Sequence, residues 1–465
     1  MVFSSITFLY FFLPILLIVY YIVPKKYRNL VLLIFSLLFY FYGESNIVLV
    51  ASLAMNYFFG IFIGKEQSKN KKKSKIYLTI GIICNVLLLG YYKYTNFFID
   101  NISNLFGISV STLNVVLPLG ISFFTFQNIS YLADVYRGEV EAPKSIIRYG
   151  AYITLFPQLI AGPIVRYKDV CDELYNRKET FKQFGQGVYR LMIGVAKKVL
   201  IANAMAKMCV VLSTMAERTV LSYIAEALGY TLQIYFDFSG YSDMAIGLGL
   251  MFGFHFKENF DHPLFATSVT EFWRRWHMSL TSFFRDYIYI PLGGNRVSKL
   301  KWFRNILTVW LLTGFWHGAN WNFIIWGLYF FAFLMLEKNF LHKFLKKGIL
   351  SHLYTVIVVV IGFVIFNNES LPALGNFLKC MTGFGGLAFV NAETLYNLKN
   401  YILLIAVACV TATPIFKYIG IKLKEKKNGE NIIWAAQYAF SVIVLVVATA
   451  TLLASSFNPF IYFRF

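Results

Sequence analysis

Two apolar runs meet at a short polar turn in the segment Ile306-Leu-Thr-Val-Trp-Leu-Leu-Thr-Gly-Phe-Trp-His-Gly-Ala-Asn-Trp-Asn-Phe-Ile-Ile-Trp-Gly327. The only ionisable side chain in this segment is His317. Apolar blocks of about 17–25 residues recur along the chain, and a block of that length can cross the hydrocarbon core of a bilayer as a helix. The sequence therefore predicts a polytopic α-helical membrane protein.

The composition supports this class. Apolar residues make up 58% of the 465 residues and charged residues 14%, against about 45–50% and about 25% in soluble domains. So few charges cannot cover a soluble protein of this length. The five cysteines are scattered and form no C-x-x-C pair, which excludes a disulfide scaffold and a zinc site. No motif typical of a metal centre, a nucleotide-binding loop or a hydrolase nucleophile elbow occurs.

The net charge of +20 comes from basic residues in short loops, a pattern produced by membrane insertion rather than by nucleic-acid binding. Short Lys/Arg-rich loops stay in the cytoplasm, so segments 25–28, 65–75, 296–304, 338–347 and 422–427 are predicted inside, and 43–46, 93–114 and 367–399 outside. We predict an all-α polytopic integral protein of the cell membrane with about eleven transmembrane helices and with both its N-terminus and its C-terminus outside.

Several helices follow from hydrophobic blocks, among them 115–132, 306–316, 321–336 and 401–418. Segment 271–304 is too polar for a simple span and too apolar for a free loop, which indicates re-entrant or interfacial helices. Proline and glycine interrupt the apolar run 156–164, as in a broken helix. No soluble domain boundary is visible, so residues 1–465 are predicted to form a single membrane domain.

His317 is the first candidate for chemistry, because polar groups at membrane depth are costly and commonly functional. Gly314 and Gly318 flank it and permit close approach of a substrate or a second backbone. Asn320 and Trp321 share its face if the helix continues past His317. The alternative is a histidine that only packs in the core.

A second cluster spans residues 271–296. It holds His277, and Arg285 and Asp286 follow about two turns later. One interpretation is a polar lining for a channel or donor site. The other is an interfacial helix with aromatic anchors and snorkelling arginines.

A third cluster, 235–244, places Asp237 and Asp243 in an otherwise apolar stretch with Ser239 and Ser242. These carboxylates are candidates for a proton relay or an ion site. The other interpretation, which we favour, is structural support through hydrogen bonds.

Three motifs resemble the membrane-bound O-acyltransferase (MBOAT) superfamily, and in particular its alginate O-acetylation branch: Trp273-Arg-Arg-Trp-His277-Met-Ser-Leu, Arg285-Asp-Tyr-Ile-Tyr-Ile-Pro-Leu-Gly-Gly-Asn-Arg296 and Gly314-Phe-Trp-His317-Gly-Ala-Asn-Trp. Shorter matches are Pro118-Leu-Gly-Ile-Ser-Phe, Ala161-Gly-Pro-Ile, Asp237-Phe-Ser-Gly-Tyr-Ser-Asp243 and the terminal Asn458-Pro-Phe-Ile-Tyr-Phe. The resemblance implies a ring of helices around a thinned central tunnel, with N-terminal helices at 1–117, a catalytic core at 118–336 and C-terminal helices at 337–465. It also implies that His317 is the essential residue and His277 the second important histidine.

The resemblance implies that an acyl group is handed to a hydroxyl acceptor. Such a transfer needs a base, and histidine suits neutral pH. We assign His317 as base or transient acyl carrier, and place His277 nearer the cytoplasmic donor side. Asn320 and backbone N–H groups near Gly318 are candidate oxyanion donors, and Trp316, Arg285, Asp286, Asp237 and Asp243 candidate tunnel-lining or substrate-binding residues.

The implied donor is a cytosolic thioester such as acetyl-CoA, with no permanently bound cofactor and no metal. The implied partners are the lipid bilayer, an exported cell-surface polysaccharide as acceptor and a secreted or membrane-anchored acetyltransferase on the outer face. Two alternatives remain: a D-alanine transfer protein of teichoic acid modification, and a polymer transporter or flippase that uses the buried carboxylates as a proton path.

Overall fold

The fold is that of a computed structural model, which describes residues 1–42, 47–159, 162–341, 345, 348–455, 457–458 and 461. Within these residues the secondary structure is helical, without a β-strand. The predicted outer turn 43–46, His342 and most of the terminal motif lie outside the described residues. The chain divides into two compact units: one comprises 1–188, 245–257 and 285–287, and the other 189–244, 258–284 and 288–465.

The first unit begins with a π-helical turn, Phe8–Phe12, and a 3₁₀ turn, Lys25–Tyr27, precedes its second helix. Its α-helices are α1 (Leu13–Ile22), α2 (Arg28–Phe41), α3 (Ile47–Gln67), α4 (Lys71–Leu89), α5 (Thr95–Phe106), α6 (Ile121–Arg137), α7 (Ile146–Thr154), α8 (Phe156–Leu159), α9 (Tyr167–Asn176) and the start of α10 (Phe181–Val195). α3 and α4 are joined inside the apolar layer by the buried amides of Asn56 and Asn85, with N···O distances of 3.1 and 2.6 Å.

The second unit contains the catalytic candidates His277 and His317. Its α-helices are the end of α10, α11 (Asn203–Ser213), most of α12 (Val220–Met251), α13 (Val269–Arg275), α14 (Met278–Phe284), α15 (Lys299–His317), α16 (Trp321–Asn339), α17 (Ile349–Asn367), α18 (Leu371–Met381), α19 (Ala392–Thr411), α20 (Ile415–Lys424) and α21 (Gly429–Ala454). α13 and α14 are each 7 residues long, too short to cross a bilayer.

Five helical stretches in the described part of the chain are long and apolar enough to cross a membrane: Ile47–Gln67, Lys71–Phe106, Ile349–Asn367, Ala392–Thr411 and Gly429–Ala454. A shorter apolar stretch covers Phe8–Ile22. In the longest one, Lys71–Phe106, the π-helical turn Gly90–Tyr94 joins α4 to α5. These stretches are those of a multi-pass membrane protein.

Three breaks in the helices have local causes. The predicted helix 115–132 begins only at Ile121, after Gly120 with its left-handed φ of 76°. The predicted helix 401–418 is two helices, because α19 ends at Thr411 and α20 starts after Pro414, which cannot donate a backbone hydrogen bond. The predicted break in 156–164 is confirmed in the described residues, since α8 covers Phe156–Leu159 and residues 162–164 are not helical.

Candidate active site

His317 is the last residue of α15, and the backbone turns out of the helix at the extended Gly318. The side chain is buried, with 7% of its surface exposed. Three aromatic rings pack around the imidazole: Trp316 at 4.9 Å, Trp326 at 5.1 Å and Phe366 at 5.2 Å between ring centroids. The tight end of a helix hairpin therefore holds this imidazole in an apolar cage.

Glycines allow α15 and α16 to approach closely. A Cβ placed on Gly314 would collide with the carbonyl oxygen of Phe323, and one on Gly327 would collide with that of Trp310. A Cβ on Gly318 would overlap the ring of Phe323. The prediction that Gly314 and Gly318 permit close approach is confirmed, and the group that approaches is Phe323 of the neighbouring helix.

The helix of His317 ends before Asn320, so the condition under which Asn320 and Trp321 would share its face is not met. Asn320 caps the next helix instead, and its Oδ1 accepts a hydrogen bond from the Trp321 backbone N–H at 2.7 Å. Asparagine is a favoured N-cap because its side chain satisfies an N–H at the start of a helix. The turn 318–320 thus ends one helix and starts the next.

His277 lies between α13 and α14 with a left-handed φ of 45°. This conformation is uncommon for residues other than glycine and costs about 1–3 kcal/mol. Hydrogen bonds to Asn259 compensate for it: the Met278 N–H donates to the backbone oxygen of Asn259 at 2.9 Å, and His277 Nδ1 lies 3.1 Å from Asn259 Oδ1. With this backbone conformation the imidazole lies in the interior, and only 1% of the surface of His277 is exposed.

The hydrogen bonds of Asn259 determine the tautomer of His277. Asn259 Oδ1 accepts from the Ser279 N–H at 3.2 Å and from Ser279 Oγ at 2.8 Å, and its Nδ2 donates to Ser242 Oγ at 3.0 Å. The atom facing the imidazole is therefore an acceptor, and Nδ1 of His277 carries the proton. Nε2 has no hydrogen-bond partner among the described residues and is left with its lone pair. Burial lowers the pKa of His277, so the ring is neutral at pH 7.

Two residues of the Asp237–Asp243 stretch of α12 hold His277 in place, one directly and one through Asn259. Phe238 meets the imidazole edge to face at 4.6 Å, and Ser242 holds Asn259. Both carboxylates are occupied by cations of their own unit: Asp237 contacts Lys198 Nζ at 2.7 Å, and Asp243 contacts Lys197 Nζ and Arg190 Nη2, each at 2.6 Å. Of the two interpretations of these aspartates, the geometry favours structural support.

Glu337 of α16 anchors the helix that leads to His277. Its carboxylate accepts the backbone N–H groups of Val269 at 2.5 Å and Thr270 at 2.8 Å, together with the Thr270 hydroxyl at 2.6 Å. A carboxylate at a helix N-terminus satisfies free N–H groups and complements the helix dipole. α13 is thus tied to the same helix whose Trp326 contacts His317.

Trp316 connects the two histidines. Its ring lies 4.9 Å from that of His317 and 6.1 Å from that of His277. Trp273, four residues before His277, packs on Trp326 at 5.3 Å. Two buried imidazoles thus lie against one indole, within one compact unit.

Arg285 and Asp286 belong to the first unit rather than to the unit of the histidines. Asp286 accepts from Arg166 Nη1 at 2.6 Å and from Arg285 Nε at 2.7 Å. Burial opposes ionisation of this carboxyl, but these hydrogen bonds outweigh it and lower the pKa of Asp286. Among the residues that the structure describes, no group of three or more His, Cys, Asp or Glu side chains could hold a metal ion.

Sequence reasoning missed Asn259, Glu337 and the lysines at 197 and 198. Asn259 lies 18 residues before His277 in the chain, and Glu337 lies 67 residues after Thr270. A polar residue in an aromatic loop was the only local signal for Asn259. Spacing along the chain does not predict such pairs.

The fold and the site together define the class of this protein: it is a helical membrane protein with two neighbouring histidines buried in its interior. The chain belongs to the MBOAT family of membrane-bound O-acyltransferases, whose sequence profile matches residues 34–368. The family of this chain establishes O-acyltransferase activity, and the motif resemblance seen in the sequence is confirmed.

Named relatives narrow the branch. The chain is 38% identical to the "probable alginate O-acetylase AlgI" of Azotobacter vinelandii, with 100% of both chains covered. It is 33% identical to the peptidoglycan O-acetyltransferase of Helicobacter pylori, over 100% of this chain and 98% of that protein. The teichoic acid D-alanyltransferase of Bacillus subtilis is 31% identical over only 55% of this chain and 70% of its own length.

Proposed function

We propose that this protein transfers an acetyl group from a cytosolic thioester, such as acetyl-CoA, to a hydroxyl group of an exported cell-surface polysaccharide. The observation that carries the proposal is the pair of buried imidazoles that both lie beside the ring of Trp316 in an MBOAT chain. The transfer reaches the polysaccharide directly or through an acetyltransferase partner on the outer face.

The chemistry needs one base and one oxyanion site. The base removes the proton of the attacking hydroxyl, the oxygen adds to the thioester carbonyl carbon, and the C–S bond then breaks to release the thiol, which takes up the proton. We assign His317 as this base or as a transient acyl carrier. Backbone N–H groups near Gly318 and the side-chain amide hydrogens of Asn320 are the donors we propose for the oxyanion.

His277 is the second histidine of the proposed mechanism. Its Nδ1–H is held by Asn259, so Nε2 is oriented as an acceptor in the buried interior. A neutral imidazole with a fixed tautomer can accept a proton without first having to reorient. We place it on the donor side of Trp316.

The acetyl group and the polysaccharide acceptor rest on the relatives. Two relatives that match the full chain are named for O-acetylation, one of alginate and one of peptidoglycan, whereas the D-alanyl relative matches about half of it. A proton-driven transporter gains no support from Asp237 and Asp243, since lysine and arginine side chains neutralise both. Acetylation is therefore favoured over the two alternatives.

The five membrane-length helices leave the number of crossings and the orientation of the chain open, and we propose both. We propose about eleven crossings in a single membrane domain, both termini outside and a thinned centre around the histidines. The basic short loops support the orientation, and the short helices α13 and α14 support a non-spanning centre.

Mass analysis of surface polysaccharide tests the function. Cells that lack this chain should export the polymer in normal amount but without its acetyl groups, and re-expression should restore them. Loss of D-alanyl esters instead would identify the teichoic acid function. Loss of polymer export with normal acetyl content would identify a transporter.

A further inference from the structure

A basic cavity of about 690 Å³ opens in the first unit, remote in sequence from both histidines. The turn between α1 and α2, the start of α7, and α9 with the residues that follow it line this cavity. Six of its side chains are cationic and one is anionic, namely Lys25, Lys26, Arg28, Arg148, Arg177, Lys178 and Glu179. Such an excess of positive charge in a concave site favours an anionic ligand.

Part of this charge is fixed in place. Glu179 accepts from Arg28 Nη1 at 2.8 Å, and it lies 3.5 Å from Arg177 Nε. Arg177 also donates to Asn29 Oδ1 at 2.6 Å and to the Tyr20 hydroxyl at 2.8 Å. Two guanidinium groups thus share a single carboxylate, so this part of the cavity wall keeps a net positive charge.

The rim of the cavity, formed by Lys25, Lys26 and Lys178, carries exposed cations. Lys25, Lys26 and Lys178 are exposed, and none of them forms an ion pair with a described carboxylate. The Arg148 guanidinium lies 4.0 Å above the ring of Tyr175, which leaves its edge free to donate. Arginine forks and lysine ammonium groups are the side chains that bind phosphate best.

Apolar side chains border the cations. Ile22, at the end of α1, is 76% exposed, and Ile147, Tyr27 and Tyr175 in the cavity wall are 37%, 48% and 45% exposed. A water-soluble anion gains nothing from such a border, whereas a lipid lays its acyl chains along it while its phosphate meets the cations. Tyrosine is common at the headgroup level of membranes.

We propose that this cavity binds the phosphate of an anionic phospholipid headgroup, such as that of phosphatidylglycerol. The basic turn 24–28 is a predicted cytoplasmic loop directly after an apolar helix, where juxtamembrane cations meet anionic lipids. The bound lipid fixes the turn between α1 and α2 at the membrane surface. This inference does not depend on the acyl-transfer proposal.

The phosphates of free coenzyme A share this chemistry, so the test has two arms. The full chain in detergent micelles is titrated with short-chain phosphatidylglycerol and, separately, with coenzyme A, and bound molecules are counted by native mass spectrometry. We expect saturable phosphatidylglycerol binding that phosphatidylcholine does not reproduce. Coenzyme A binding with equal affinity and displacement of the lipid would overturn the lipid assignment.

The variant Lys25→Gln/Lys26→Gln/Lys178→Gln removes rim charge without breaking an ion pair. It should weaken phosphatidylglycerol binding about tenfold or more, since each juxtamembrane lysine contributes appreciably to anionic lipid binding. The matched control, Lys422→Gln/Lys424→Gln/Lys426→Gln, removes the same charge from the exposed C-terminal end of α20 and should leave binding unchanged. Equal binding by wild type and the rim variant, or equal weakening by both variants, would refute the site.

Discussion

The surroundings of His277 and His317 differ although both histidines follow a tryptophan in the sequence and both are buried. His277 leaves the helical conformation with φ at 45° and is oriented by the Asn259 amide. His317 ends a 19-residue helix and packs among three aromatic rings. The same dipeptide thus sits in a polar network in one place and in an aromatic cage in the other.

This difference suggests a division of labour. A hydrogen-bonded imidazole has a fixed tautomer and exchanges protons from a defined atom. The imidazole of His317 packs among three aromatic rings at the end of a helix. We therefore expect His277 to depend on its hydrogen-bond partners and His317 on its own ring chemistry.

Replacement of His317 should have the largest effect. His317→Ala should lower polymer acetylation about 10²–10⁴-fold, the usual value of a general base, which corresponds to about 3–5 kcal/mol of barrier. The protein should still accumulate in the membrane. The readout is acetyl content of surface polysaccharide, normalised to membrane protein.

His317→Gln separates catalysis from packing, because glutamine keeps some size and hydrogen bonding but is no base. Near-normal acetylation by this variant would return His317 to a structural role. His255→Ala, which removes an exposed histidine in the first unit, is the control and should be nearly silent.

The buried ion pair between Asp237 and Lys198 should contribute mainly to the stability of the protein. Asp237→Asn leaves the buried Lys198 ammonium without its carboxylate, and breaking such a pair costs about 3–5 kcal/mol. Thermal unfolding in detergent measures the loss. The double variant Asp237→Asn/Lys198→Met should recover most of it and keep acetylation. A stable double variant without activity would instead make Asp237 part of a proton path.

Loss of the tautomer-fixing amide should have an intermediate effect. Asn259→Ala frees Nδ1 of His277 and leaves buried groups unpaired, at a cost of about 1–3 kcal/mol, so we expect acetylation to fall about 10-fold or more. Ser279→Ala removes a neighbouring hydroxyl but keeps the Asn259–His277 bond, and should cost less. If the two variants behave alike, Asn259 does not act through His277.

The helix cap next to His317 should have a smaller effect. Asn320→Ala removes the N-cap of α16, which is worth about 1 kcal/mol, whereas Asn320→Asp keeps the accepting oxygen and should restore thermal stability. Acetylation measured on the same pair tests the proposed oxyanion donor. Aspartate replaces the amide hydrogens by a negative charge that repels an oxyanion, so a 10²-fold loss in the stable Asn320→Asp variant would support that role.

The two histidines should also differ in the side of the membrane from which a reagent can reach their neighbouring residues. In a cysteine-free background, Thr281→Cys beside His277 should react with an impermeant thiol reagent from the cytoplasmic side only. Ala319→Cys beside His317 should react from the outer side only. Labelling of intact cells and of inverted vesicles gives the two readings, and reaction of both positions from one face would contradict transfer across the membrane.

Local signals in the sequence account for much of the molecule. Hydropathy and short basic loops predicted a helical membrane protein because a bilayer selects long apolar segments whatever their tertiary neighbours. Proline and glycine within 156–164 predicted the broken helix there because each residue acts on its own backbone. The motifs around His277 and His317 are contiguous, so they were visible without a fold.

Only the tertiary structure decided how the histidines are held. The Asn259–His277 bond and the Glu337 cap of α13 join residues far apart in the chain, and the shared Trp316 contact joins two separate motifs. Hydrogen bonds and ring contacts of this kind depend on which helices meet, so the choice between a catalytic lining and a structural support for Asp237 and Asp243 could be weighed only after Lys197 and Lys198 were found beside them.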